Sequence, residues 1–146
     1  MFSKKELIDK AGSPESIPQI FLQVKKYSQD DFKESESEQS IVFCYADKHE
    51  AENIQDFYLN SLLKSGISKA YILPFLEQAS FQFRSIEREK FESLILEQTL
   101  NLKEDFSFSI KGDFLSSIIM IENWDYISLL AETSQEYIAF FWETTA

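Results

Sequence analysis

The chain has 146 residues, 44% hydrophobic and 27% charged, with a formal net charge of −11 from 25 acids against 14 bases. That is the size and balance of one globular domain with enough chain to bury a core, and it excludes a disordered tail. Three glycines and three prolines exclude collagen and low-complexity linkers, and a lone cysteine (Cys44) and histidine (His49) exclude an intramolecular disulfide, a cysteine zinc cluster and most histidine-dependent catalysis.

The opening residues turn polar at Ser3-Lys4-Lys5-Glu6 with no apolar signal segment after them, and no apolar run approaches the roughly 20 residues that span a bilayer. With one thiol, a reducing cytoplasm is the expected location. Ser3 and Glu6 have capping-box spacing and Gly12 supplies a stop, which predicts a short helix over 4–11. Ser16 and Gln19 repeat the spacing, and Ile17, Ile20, Phe21 and Val24 fall at i, i+3, i+4 and i+7. A second helix over 17–27 is therefore expected, although Ile20, Leu22 and Val24 also alternate as a strand would.

Residues 28–40 hold five acids (Asp30, Asp31, Glu34, Glu36, Glu38), one lysine and little apolar surface. Such a stretch has little to bury and reads as a solvated, mobile loop: a plain connector, or a contact site for basic groups. Residues 41–46 are a compact apolar, β-prone run and predict a buried strand. Asp47, with Glu50 three residues on, is expected to cap a helix with Ile54, Phe57, Tyr58, Leu59 and Leu62 on its apolar face, ending at Gly66.

Residues 69–73 suggest a short strand stopped by Pro74, and Phe81 and Phe83 alternate with polar neighbours in another. Ser85 is expected to open a helix to about Thr99 with Phe91, Leu94 and Ile95 inward. Beyond it Phe106, Phe108 and Ile110 alternate with serines, residues 111–113 turn, and strands follow over 117–121, 126–132 and 137–143, the last two forming a hairpin. Early helices and late strands predict one α+β domain over 1–146 with a C-terminal antiparallel sheet.

Chemistry-bearing motifs are sparse. Gly12, Gly66 and Gly112 lie too far apart for a phosphate loop. A Cys44–His49 nucleophile pair would suggest a cysteine hydrolase, but Cys44 sits in an apolar strand where a thiol is inert packing, and His49 reads as an exposed first-turn residue. Carboxylate pairs such as Glu89 and Glu92 arise by chance among 25 acids, and the glycine-centred turn of a calcium loop is missing. No catalytic, cofactor-binding or metal-binding residue is assigned, and the chain does not read as an enzyme.

Charge is the informative number. Residues 1–29 hold five lysines against three acids, +2, whereas residues 30–146 hold 22 acids against nine bases, −13, with no base after Lys111. A field of that sign repels nucleic acid and anionic membranes and speeds encounter with a basic protein. The closing hairpin combines rings with acids in Trp124-Asp125-Tyr126 and Phe140-Phe141-Trp142-Glu143. In its last strand Tyr137, Ala139, Phe141 and Glu143 share one face, and Ile138, Phe140 and Trp142 the other, so both are partly apolar, which suggests a central strand, or one face covered by helices and the other by a partner. Candidate partner-binding residues are Asp30, Asp31, Glu34, Glu36 and Glu38 as one block, with Trp124, Asp125, Glu132, Trp142 and Glu143 as another.

The short acidic domain, its early helix and the closing stretch Glu122-Asn123-Trp124-Asp125, Ala131-Glu132-Thr133 and Phe140 to Ala146 resemble bacterial immunity proteins of toxin–immunity systems, such as those of contact-dependent inhibition. The resemblance covers about the last quarter of the chain and carries no binding residue across position by position. It implies a cytosolic inhibitor that binds a cognate toxin, often a basic nuclease, and blocks its active site or substrate surface. The alternative expectation is a structural or regulatory interaction protein, pairing with a second copy through an exposed sheet edge.

Overall fold

The computed structural model describes residues 2–12, 14–34 and 38–145. Its elements, in chain order, are α1 (Lys4–Lys10), β1 (Gln23–Tyr27), β2 (Gln39–Asp47), α2 (Ile54–Lys64), α3 (Ile72–Gln78), β3 (Arg84–Ile86), α4 (Arg88–Thr99), β4 (Phe114–Glu122), β5 (Tyr126–Thr133) and β6 (Glu136–Thr144), with short 3-10 turns between some of them. The six strands form one antiparallel sheet in the order β1-β2-β6-β5-β4-β3. This is the α+β domain the order of helical and strand signals predicts.

The β5–β6 hairpin forms as expected, and its second strand is central. Because side chains alternate across a pleated strand, β6 feeds two cores. Tyr137, Ala139 and Phe141 pack with Leu7, Phe57, Tyr58, Leu62, Ile72 and Leu76 under α1, α2 and α3. Ile138 and Phe140 pack on the opposite side with Phe91, Leu94 and Ile95 of α4 and with Phe32 and Leu102. The molecule is thus three layers, helices and loops on both faces of the sheet. No helix among the described residues is long and apolar enough to cross a membrane.

Several local expectations are corrected. Residues 17–27 are not a helix: after a 3-10 turn at Pro14–Ser16 the chain is extended, and β1 pairs with β2. Asn60 of α2 accounts for this, donating from Nδ2 to the Pro18 carbonyl at 2.6 Å and accepting the Ile20 N–H at 3.3 Å, so these groups are satisfied outside a helix. Asp47 does not cap α2. It extends β2 opposite Glu136, a 3-10 turn follows at Lys48–Glu50, and the cap is Asn53, whose side chain accepts the Asp56 N–H at 2.9 Å.

Residues 69–73 are not a strand; Pro74 is the third residue of α3, where its missing N–H costs nothing because first-turn N–H groups have no intrahelical partner. The strand expected at Phe81 and Phe83 begins only at Arg84, after Phe83 breaks the extended run with φ 47°. Ser85 lies in that strand opposite Ile118, so α4 starts at Arg88 instead. Residues 106–110 form no strand, although Phe106, Phe108 and Ile110 do pack against the second core while Ser107 and Ser109 are exposed.

Candidate functional site

Antiparallel order decides what meets at each end of the sheet. Residues 28–34 and Glu38, between β1 and β2, the Asn123–Asp125 turn between β4 and β5, and the residues closing β6 all lie at one end. Glu38 accepts the backbone N–H of Thr145 at 3.2 Å and also its hydroxyl, and Asp125 accepts the Thr144 N–H at 3.0 Å. The three segments are therefore tied together through the C-terminal residues of β6 and beyond.

The acidic connection is better anchored than its composition suggests. Asp30 and Asp31 sit in a 3-10 turn, with the Asp31 carboxylate accepting the Ser28 N–H at 2.8 Å. Phe32 is fully buried and bridges to Leu102. Around it Lys33 N–H donates to the Asn101 carbonyl at 2.7 Å and Lys103 N–H to that of Asp31 at 2.8 Å. One aromatic residue gives the segment the apolar contact that its charge count hides. Asp30, Asp31, Glu34 and Glu38 are exposed, while Glu36 lies outside the described residues.

The two tryptophans behave differently. Trp124, at the tip of the β4–β5 turn, is 73% exposed. Trp142 is half-buried on the second core and donates from Nε1 to Gln39 Oε1 at 2.9 Å. Glu143 is exposed, directly opposite Ser40 on one side and Tyr126 on the other, and accepts the Ser40 hydroxyl at 3.3 Å. Glu132 stands apart. It lies six residues up β5 from Tyr126, about 20 Å away at 3.3 Å per residue, and is ion-paired with Lys48.

The two ends of the sheet differ in how their acids are compensated. At the Glu132 end, Lys48 pairs with Glu132, Lys111 with Asp47, and the buried Glu136 carboxylate accepts the Lys111 N–H at 3.0 Å. Burial raises the Glu136 carboxyl above the ordinary range, partly offset by Lys111. At the Trp124 end Glu122 pairs with Arg84, but Asp30, Asp31, Glu34, Glu38, Asp125 and Glu143 make no ion pair among the described residues. Six acids without an ion pair and the exposed Trp124 therefore lie at the same end of the sheet, Asp125 next to Trp124 in its turn and Asp30, Asp31 and Glu34 beyond the β1–β2 side.

Cys44 and His49 do not form a reactive pair. Cys44 is fully buried under α2 and burial pushes its thiol up to about 12, whereas His49 is exposed and contacts Glu50 at 3.2 Å. No cluster of three or more metal-ligating side chains occurs among the described residues. The free edges of the sheet are β1 and β3, so β5 and β6 have no backbone edge to offer a second copy, and β1 carries Lys25 and Lys26, charges that discourage strand addition. The chain matches no family model, no curated protein and no solved structure.

Proposed function

We propose that the chain is an acidic protein-binding module acting in the cytoplasm, most concretely an immunity protein that binds and neutralises a basic toxin domain, without turnover of its own. The observation that supports this reading is that Asp30, Asp31, Glu34, Glu38, Asp125 and Glu143, none of them ion-paired among the described residues, share one end of the sheet with the exposed Trp124. Carboxylates without an internal ion pair can meet lysine and arginine at no cost of breaking an existing salt bridge, and they speed encounter. An exposed indole at the same end supplies the large, stiff anchor typical of residues that dominate binding energy.

The test is co-expression with the C-terminal domain of a large secreted protein encoded beside this chain. Rescue of growth, together with an association rate that falls steeply as salt rises, is the expected result. A toxic neighbour that this chain neither binds nor silences would remove the reading, as would salt-independent binding for its electrostatic half.

A further inference from the structure

A cleft of about 300 Å³ opens on the first-core face at this same end of the sheet, between the residues that follow α2, α3 and strands β2, β6 and β5. Phe75 and Phe141 give it apolar walls, and Ser40, Glu143 and Tyr126 form a row of three residues side by side on neighbouring strands. Ser65 completes the polar rim, with its hydroxyl committed to the Leu62 carbonyl at 2.7 Å. Lysine and arginine are missing from the described lining, and Lys64, which precedes Ser65, is exposed.

Among the described residues Tyr126 Oη is the one buried side-chain polar atom without a hydrogen-bond partner. Its neighbour Tyr58 shows the contrast, with its hydroxyl 2.7 Å from that of Ser128. Orphaned buried hydroxyls are costly and scarce in folded proteins, and this one belongs to a residue that lines the cleft, so an incoming group that reaches past its cover would supply the missing bond. Burial also holds the phenol well above 10, with the Glu143 charge adding to the shift, so at neutral pH it is a neutral hydroxyl beside a carboxylate.

We propose that this cleft receives one cationic side chain, arginine or lysine, from the basic partner. Its aliphatic stem lies against Phe75 and Phe141, and its charged head reaches Glu143 and donates a hydrogen bond to Tyr126 Oη. Ring faces and a carboxylate both favour a cation over a neutral or acidic head. An anionic head is repelled by Glu143, and a purely apolar one leaves the phenol unpaired. The source of the side chain rests on the acidic-module reading above; the chemistry of the cleft does not.

Nα-acetyl-arginine methylamide and Nα-acetyl-lysine methylamide, titrated into the full chain at low salt, probe the cleft directly by the amide NMR shifts of Ser65, Gly66, Ile67 and Tyr126. Saturable shifts confined to these positions are expected, and the tighter of the two probes identifies the head group. The norleucine analogue, which keeps the stem and lacks the charge, should bind about tenfold more weakly, as should either probe to Glu143→Gln. Tyr126→Phe should weaken the cationic probes while leaving the norleucine analogue and the urea midpoint no lower than in the parent.

Absence of saturable shifts, equal binding of the norleucine analogue, or indifference of both variants would overturn the proposal and leave the cleft to solvent. Probe binding in a chain that neutralises no basic toxin would sink the proposed function alone. Toxin binding unaffected by Glu143→Gln and Tyr126→Phe would sink the cleft alone.

Discussion

Thr144 donates its backbone N–H to the Asp125 carbonyl at 3.0 Å, fastening the last residue of β6 to the turn that carries Trp124. Two segments nineteen positions apart in sequence thereby present rings and carboxylates as one surface. If that surface meets a basic partner, the double variant Asp125→Lys/Glu143→Lys should slow association by about tenfold or more at low salt, with the gap closing as salt rises. Stopped-flow binding checks this. Glu132→Gln is the internal control: it loses the Lys48 pair, costs about 0.2–1 kcal/mol of stability, and should leave the association rate unchanged.

Tyr58 and Tyr126 should respond oppositely to loss of a hydroxyl. Tyr58→Phe strands the buried Ser128 hydroxyl and should cost about 1–3 kcal/mol in urea unfolding. Tyr126→Phe removes an oxygen with no partner and should be neutral or stabilising. A comparable loss in both would mean that the Tyr126 hydroxyl is satisfied in solution.

Gly112 has φ 77°, and a Cβ there would fall 2.3 Å from Ser134 Oγ and 2.9 Å from Gln135 Cγ. Ser134 cannot simply turn aside without loss, since its hydroxyl accepts the Asp113 N–H at 2.8 Å. Gly112→Ala should therefore cost about 1–3 kcal/mol. Gly66, at φ 116°, has open space around the same position, so Gly66→Ala should cost backbone strain only and less in total. Thermal unfolding of the two variants gives the order.

Glu136 sets a pH dependence. Its burial raises the folded carboxyl above the ordinary 4.5, so the native state keeps this proton to a higher pH than the unfolded chain. The unfolded state then binds fewer protons, and this group's contribution to stability falls as pH rises from about 4.5 through the raised value. Glu136→Gln, whose amide oxygen can still accept the Lys111 N–H, should be more stable than the parent at neutral pH. That gain should fade below about pH 4.5, where both residues are neutral in either state.

Cys44 offers a probe of the fold itself. With the thiol buried and held up to about 12, a thiol reagent at neutral pH should modify the native chain only as fast as the chain opens. Rapid labelling without denaturant would contradict the packing described for α2 on β2.

Periodicity reports which way side chains point, and there the sequence was a dependable guide. Tyr137 to Trp142 alternate between two cores as their pattern predicts, and Phe91, Leu94 and Ile95 face inward from α4. Even Phe106, Phe108 and Ile110 point inward as read; only the strand is missing, because alternation says nothing about whether a neighbouring backbone is there to pair with. Residues 17–27 fit two periods at once, and the choice fell to β2 and to Asn60, more than thirty positions downstream. Phe32 inside the acidic run was outweighed by five charges, although one fully buried ring is enough to pin a short connection.

Composition together with periodicity along the chain established a single acidic domain of mixed helix and sheet with few groups suited to catalysis, because those properties depend on which residues are present and how they repeat. It could not tell that Glu132 is neutralised by Lys48 while Glu143 stands beside an orphaned phenol, or that Trp124 projects while Trp142 lies against a core. Those distinctions belong to the strand order, which carries distant loops to a common end of the sheet. Coulomb interactions and hydrogen bonds act over a few ångströms of space, and no count along the chain measures that distance.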